Sequence, residues 1–180
     1  LAQLWVTDLY LSPILQATAG STHGYDVVDH SAISRQLGGR AAFESLARAA
    51  HTRHMGVIVD VVPNHMAVPS PLWENRALWS VLRDGPESPY ADWFDSSGSE
   101  DGILMAVLAE RIGTAIAGGL IVLDQDLVPG DDEPSWVLRY YDHVFPVRPG
   151  TEQLPLTRLL QSQFYRLAYW KVADDELNYR

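Results

Sequence analysis

Val57-Ile58-Val59-Asp60-Val61-Val62 is a continuous apolar run broken by one carboxylate, and Pro63-Asn64-His65 follows it. Strands buried on both faces of a parallel sheet read this way. Just upstream, residues 40–55 carry Phe43, Leu46, Ala47 and Ala50 at helical spacing. Gly56 stands where a left-handed glycine would cap that helix. Further upstream, Trp5-Val6-Thr7-Asp8-Leu9-Tyr10-Leu11 is β-branched and aromatic and is closed by Ser12-Pro13, as a buried strand should be. Between strand and helix lies a loop, Gly20-Ser21-Thr22-His23-Gly24-Tyr25-Asp26, whose glycines permit tight turns. Strand, loop, helix and strand in this order make a βαβ unit with a right-handed crossover.

Beyond Met66 the pattern changes. Residues 66–100 are rich in Pro, Trp, Ser and Gly and show no sustained period. Short apolar runs at 103–108 and 120–124 flank a short helix, and 136–145 reads as one further strand. Leu156, Leu159, Leu160, Phe164 and Leu167 make an apolar helical stripe over 156–171, with Pro155 suited to its first turn. Residues 66–152 therefore read as an insertion on the loop after the Asp60 strand, and 153–180 as a helix returning to the sheet.

The chain has 180 residues, 47% of them hydrophobic, enough for a real core. Its net charge of -10 repels phosphate backbones, so nucleic acid is not an expected partner. Neutral sugars carry no such penalty. There is no cysteine, hence no disulfide or thiolate metal site. No apolar run reaches the roughly 18 residues of a membrane helix, so no membrane partner is expected. Leu1 begins the chain and no stop signal follows the last helix, so both ends read as cut.

Asp60 is the residue that most needs explaining. A carboxylate in a buried strand is costly unless paired or hydrogen-bonded. It belongs to a structural ion pair, to an exposed strand, or to the wall of a site. Asn64 and His65 lie past the strand, on the end of a parallel sheet where active sites are built. His23-Gly24-Tyr25-Asp26 combines a flexible backbone, a flat aromatic face and an acceptor. A sugar ring needs stacking on its C–H face and acceptors around its rim; a tight turn with a packing tyrosine would look the same. Trp73, Trp79, Trp93 and Trp136 are read as core residues rather than sugar platforms.

Together these segments resemble the α-amylase superfamily. Asp60-Val61-Val62-Pro63-Asn64-His65 is similar to its first conserved region at the end of the third barrel strand, and Leu9-Tyr10-Leu11-Ser12-Pro13 to the end of the second. Within it, Gly20-Ser21-Thr22-His23-Gly24-Tyr25-Asp26-Val27-Val28-Asp29 resembles the malto-oligosyltrehalose synthases. So do Gly85-Pro86-Glu87-Ser88-Pro89-Tyr90, Tyr140-Tyr141-Asp142-His143 and Glu176-Leu177-Asn178-Tyr179-Arg180. Trp5 departs from the pattern, standing where a glycine usually precedes the strand.

The resemblance implies an α/β chain forming a partial (β/α)8 barrel. Strands two and three with their helix would occupy residues 1–65, an α+β subdomain inserted after the third strand would occupy 66–152, and 153–180 would lead toward strand four. It implies that Tyr25 stacks under a sugar while Asp26, His65 and His23 contact its hydroxyls. Asp60 would hold a site arginine, and Asn64 would support the loop. The implied parent is a cytoplasmic enzyme without cofactor, acting on maltooligosaccharides or maltodextrins alongside a trehalohydrolase. It would turn the reducing-end α-1,4 bond into an α,α-1,1 bond.

Retaining glycoside chemistry needs two carboxylates about 5–5.5 Å apart, and the family's nucleophile lies in a Gly-x-Arg-x-Asp pattern that is missing here. Asp84, Asp95, Asp124, Asp126, Asp131, Asp132, Asp174 and Asp175 read as solvated charges in loops or at a helix end. The catalytic pair is accordingly expected beyond Arg180, in an N-terminal-half fragment without turnover of its own. The alternatives are an α-amylase-like hydrolase and a truncated carbohydrate-binding module. No cluster has metal-ligand spacing, although Asn64 matches a calcium ligand of some amylase relatives.

Overall fold

The computed structural model describes residues 1–94 and 102–171. Two compact units make up the chain, Leu1–Pro69 and Ser70–Arg180.

In the first unit a short 3-10 turn, Ala2–Leu4, leads into β1 (Asp8–Leu11). Strands β2 (Leu15–Ala17) and β3 (Val27–Ile33) form an antiparallel hairpin inside the segment read as a plain loop. Helix α1 (Gly39–His51) then crosses over to β4 (Gly56–Val59), which runs parallel to β1 from Asp8↔Gly56 to Leu11↔Val59. Parallel neighbours require such a crossover, and the βαβ reading holds. Ala17, Val27, Val28, Ala50, Met55 and Val62 are the buried apolar residues of this unit.

Three local expectations fail here. The first strand begins at Asp8 rather than Trp5, because Trp5 adopts φ 60° and points into solvent, 92% exposed. Gly56 does not cap α1. The left-handed residue is His54, and Gly56 opens β4, where the Asp8 carboxylate fills the space a Cβ would take. Within residues 1–180 the Asp60 run is not covered on both faces: β4 ends at Val59, and Ile58 and Val61 are exposed there.

The second unit contains α2 (Arg76–Asp84), β5 (Ile103–Leu108), α3 (Ile112–Ala117), β6 (Ile121–Asp126), β7 (Ser135–Tyr140), β8 (His143–Pro146), α4 (Leu156–Gln161) and β9 (Tyr165–Tyr169). Strands β6, β7 and β8 make an antiparallel meander, while β5 and β9 pair in parallel. The apolar runs at 103–108 and 120–124 are strands around a short helix, as expected. Leu82, Leu108, Val137, Leu138 and Leu159 are completely buried in one continuous core.

Helix α2 has no counterpart in the sequence reading. Buried Asn75 caps it, its side-chain oxygen accepting from the Leu78 N–H at 3.0 Å. Ala77, Leu78, Val81 and Leu82 form the inward stripe. The single strand expected over 136–145 is a hairpin that turns at Tyr141-Asp142, with Tyr141 at φ 49°. The helix expected over 156–171 stops at Gln161, and Pro155 precedes its first residue rather than joining its first turn. Buried Gln163 ends it, donating to Leu159 O at 2.7 Å and Thr151 Oγ1 at 3.1 Å and accepting from the Arg148 N–H at 2.7 Å. The chain then extends as β9. Part of the return segment, residues 172–180, lies outside the described residues.

Trp79 is buried and Trp73 packs edge-on against it at 5.8 Å, but Trp93 and Trp136 face solvent. Asp124 and Asp126 belong to β6 rather than to a loop, and both pair with Arg139 of β7. Asp95, Asp174 and Asp175 lie outside the described residues.

Candidate functional site

Polar side chains gather where β1 and β4 end together in the first unit. Asp60 stands one residue past β4, and its N–H extends the ladder to Leu11 O at 3.0 Å. Its Oδ2 accepts two phenol hydroxyls, Tyr10 at 2.8 Å and Tyr25 at 2.7 Å. The cost of burying an unpaired charge therefore does not arise: Asp60 is only half-buried and well supplied with donors. The Tyr25 hydroxyl, then that of Tyr10, holds the Asp60 carboxyl below the ordinary carboxylate range. Reciprocally, the hydrogen bond to Asp60 pushes both phenols above their ordinary value.

Tyr25 reaches Asp60 from the loop between β2 and β3. Gly24 precedes it at φ 79°, packed so closely on Pro13 that a Cβ would collide with the Pro13 carbonyl. The Ser21 hydroxyl accepts the Gly24 N–H at 3.1 Å, and His23 Nδ1 accepts the Tyr25 N–H at 3.1 Å. The His23 and Tyr25 rings lie 6.0 Å apart. Asp26 turns inward, its carboxylate accepting the Thr18 and Ser21 hydroxyls of the same loop. Partial burial pushes the Asp26 carboxyl up, but the Ser21 and Thr18 hydroxyls, with a backbone hydrogen bond and nearby His23, together leave the group below its ordinary range.

Asn64 and His65 follow Pro63 on the surface, with His65 Nδ1 3.2 Å from Asn64 Oδ1. Strand β3 holds the segment on either side of them. His30 Nε2 donates to Val62 O at 2.8 Å, and the Ala67 N–H donates to Val27 O at 2.8 Å.

Of the residues selected from sequence, the structure thus joins Tyr25 directly to Asp60 and sets His23 beside Tyr25. Asp26 instead braces its own loop, and Asn64 pairs with His65. Tyr10 escaped the sequence reading. Its signal was available: Tyr10 pairs with Ile58, two residues from Asp60, so strand alternation puts Tyr10 and Asp60 on one face.

A cavity of about 550 Å³ adjoins this cluster, lined by Tyr10, His23, Gly24 and the α1 residues Phe43 and Leu46. That volume is in the range of small-ligand sites. A larger cavity, about 1370 Å³, lies in the second unit and is lined by Trp93 and Arg148 among others, but by none of Tyr25, Asp26, His23, Asp60, Asn64 and His65. Among the described residues no group of three His, Asp or Glu is placed to hold a metal ion, and no helix is long and apolar enough to cross a membrane.

The α-amylase catalytic-domain family matches residues 1–116. The chain belongs to that family. It is 39% identical to a putative maltooligosyl trehalose synthase of Mycobacterium tuberculosis, in an alignment covering 95% of this chain and 21% of the relative. A crystal structure of a maltooligosyl trehalose synthase superposes with a TM-score of 0.79 and 40% identity, covering 92% of this chain and 22% of that one. The maltooligosyltrehalose synthase from Arthrobacter ramosus gives 0.77 and 39%, covering 92% and 20%. An intracellular maltogenic amylase of Bacillus subtilis is 36% identical over 94 residues, which is 52% of this chain and 15% of the relative. The chain spans about a fifth of the length of the synthases it matches.

Proposed function

We propose that this chain is part of an enzyme that converts the reducing-end α-1,4 linkage of a maltooligosaccharide into an α,α-1,1 linkage by retaining intramolecular transglucosylation. One observation carries the reading. Similarity to the synthases runs through 95% of the chain and both units, whereas similarity to the maltogenic amylase covers 52%. In this reading residues 1–65 are barrel strands two and three with their helix, 66–152 is the inserted subdomain, and 153–180 leads to the fourth strand.

Tyr25 offers its half-exposed ring as the stacking face for one glucose. His23, Asp26 and His65 supply hydrogen bonds to sugar hydroxyls, Asp26 through the lone pairs its loop leaves over. Asp60 fixes the tyrosine and would also hold the expected site arginine, and Asn64 supports the loop beside His65. No catalytic acid or nucleophile is assigned within the chain, which lacks the Gly-x-Arg-x-Asp pattern, and residues 1–180 alone are expected to show no turnover. The partner would be an enzyme that hydrolyses the trehalosyl product, in the same cytoplasmic compartment.

The test is to incubate the intact protein with maltopentaose and analyse the products. A non-reducing saccharide ending in trehalose is the expected result. Free glucose or shorter maltodextrins as the main product would replace this reading with that of an α-amylase-like hydrolase, which the match over residues 1–116 equally allows. Binding without any turnover would favour a carbohydrate-binding module.

A further inference from the structure

We infer that Tyr10 is a positioning residue that sets the plane of the Tyr25 ring through Asp60, an inference that rests on the sugar-stacking reading of Tyr25. Three elements meet at one carboxylate. Tyr10 comes from β1, Asp60 from the end of β4 and Tyr25 from a loop, and both phenols donate to the same Asp60 oxygen. They are not equally well fixed. Side chains on paired strands are held more rigidly than those on loops, and β1 grips Asp60 twice, through Leu11 O to its N–H and through Tyr10 to its carboxylate. The loop bearing Tyr25 is braced internally by Thr18, Ser21 and Asp26, and these bonds fix its backbone rather than the far end of the Tyr25 ring. What ties that end to the strands is the phenol bond to Asp60 together with the Tyr10 hydroxyl that meets the Tyr25 hydroxyl beside it. Tyr10 therefore bears on where the Tyr25 ring stands through the Asp60 oxygen they share, a carboxylate that the Val61 N–H also holds, and through its own hydroxyl beside that of Tyr25.

Stacking on a sugar depends on ring plane as much as on ring presence, because the C–H face must meet the aromatic face flat. Removing the Tyr10 hydroxyl leaves the Tyr25 ring in place but lets it swing with Asp60. Tyr10 thereby serves affinity without touching the sugar, and its effect must vanish when the Tyr25 ring is gone.

The experiment is a double-mutant cycle in the intact protein with Tyr10→Phe, Tyr25→Ala and the pair, reading the maltopentaose KM from initial rates. Tyrosines labelled with carbon-13 in the ring report Tyr25 directly, its signals being assigned from Tyr25→Phe. Tyr10→Phe should weaken maltopentaose about 3- to 10-fold, as loss of a charge-assisted hydrogen bond in a solvated setting does. It should shift the Tyr25 ring signals even without sugar, and cost nothing further in the Tyr25→Ala background. An equal loss in both backgrounds, or Tyr25 signals unmoved by Tyr10→Phe, overturns the inference. If the parent protein binds no maltopentaose, the sugar reading itself fails, and the ring signals alone then decide whether Tyr10 positions Tyr25.

Discussion

The two units stabilise their strands in different ways. In the first, the cross-strand neighbours Tyr10 and Ile58 are 66% and 52% exposed, and the chain is held around its strand ends by hydroxyl–carboxylate bonds. In the second, Val137 and Leu138, adjacent in β7 and pointing to opposite faces, are both fully buried. Burial on both faces, expected for the Asp60 strand, is found in β7 instead. An apolar run shows that a strand is suited to burial; what lies over each face is decided by the rest of the fold.

The contrast can be broken most forcefully by truncation. Leu138→Ala should destabilise the second unit by about 2–5 kcal/mol, the range for emptying a filled core position. Within residues 1–180, Ile58→Ala, at a position left open there, should cost under about 1 kcal/mol. Hydrogen exchange measured separately over the two units would check both, since local openings differ between regions of one protein. Equal costs would mean that the β1–β4 face is covered as fully as β7.

A smaller effect, confined to the first unit, is expected from Gly24→Ala. The new methyl would collide with the Pro13 carbonyl at a backbone φ that disfavours any side chain. The loop must shift, moving Tyr25 off Asp60, so maltopentaose affinity should fall about tenfold or more, equivalent to roughly 1.4 kcal/mol. Exchange protection in the second unit should not change. Retained affinity would show that the Tyr25 loop does not carry the sugar.

Much of this architecture was legible beforehand, and the failures share a cause. β1, α1 and β4 each declare themselves by local apolar pattern, and Tyr25 and Asp60 by the chemistry of their neighbours. What stayed hidden depends on distant partners. Gln163 ends α4 through contacts reaching back to Arg148 and Thr151, and β9 is a strand because β5 lies beside it. Tyr141 turns the β7–β8 hairpin at positive φ without the glycine or asparagine that would have announced a turn. Helix α2 was a different kind of miss: Asn75 and the stripe from Ala77 to Leu82 were readable but were obscured by the surrounding prolines and tryptophans.

The pH response should sharpen the same contrast more gently. Asp60 and Asp26 have depressed carboxyl values when folded, so their contribution is present above the ordinary value of about 3.9 and is lost as pH falls through the folded value. Tyr10 and Tyr25 have raised values, so theirs is present below about 10 and is lost as pH rises through the folded value. Neither Asp60 nor the two phenols should therefore move the Tyr25 ring signals between about pH 5 and pH 9. Asp60→Asn should shift them throughout that window. An inflection near neutrality in the parent protein would mean that another group governs the ring.

The smallest effect expected comes from two residues that share a backbone conformation but not an environment. Trp5 and Tyr141 hold φ 60° and φ 49°, each an unfavourable choice for a large aromatic residue. Placing glycine there removes a left-handed penalty of about 1–2 kcal/mol, partly offset by the greater freedom glycine has when unfolded. The Trp5 ring is 92% exposed, so Trp5→Gly gives up little packing and should come out neutral to about 1 kcal/mol stabilising. The Tyr141 ring meets Tyr140 edge-on at 4.7 Å, a contact of about 0.5–1.5 kcal/mol. Tyr141→Gly should therefore gain less than Trp5→Gly, or lose stability slightly. Denaturant titrations of the two variants of residues 1–180 would rank them. The reverse order would mean that the Trp5 ring is packed against something despite its open position, and that the first unit is less open than its strands suggest.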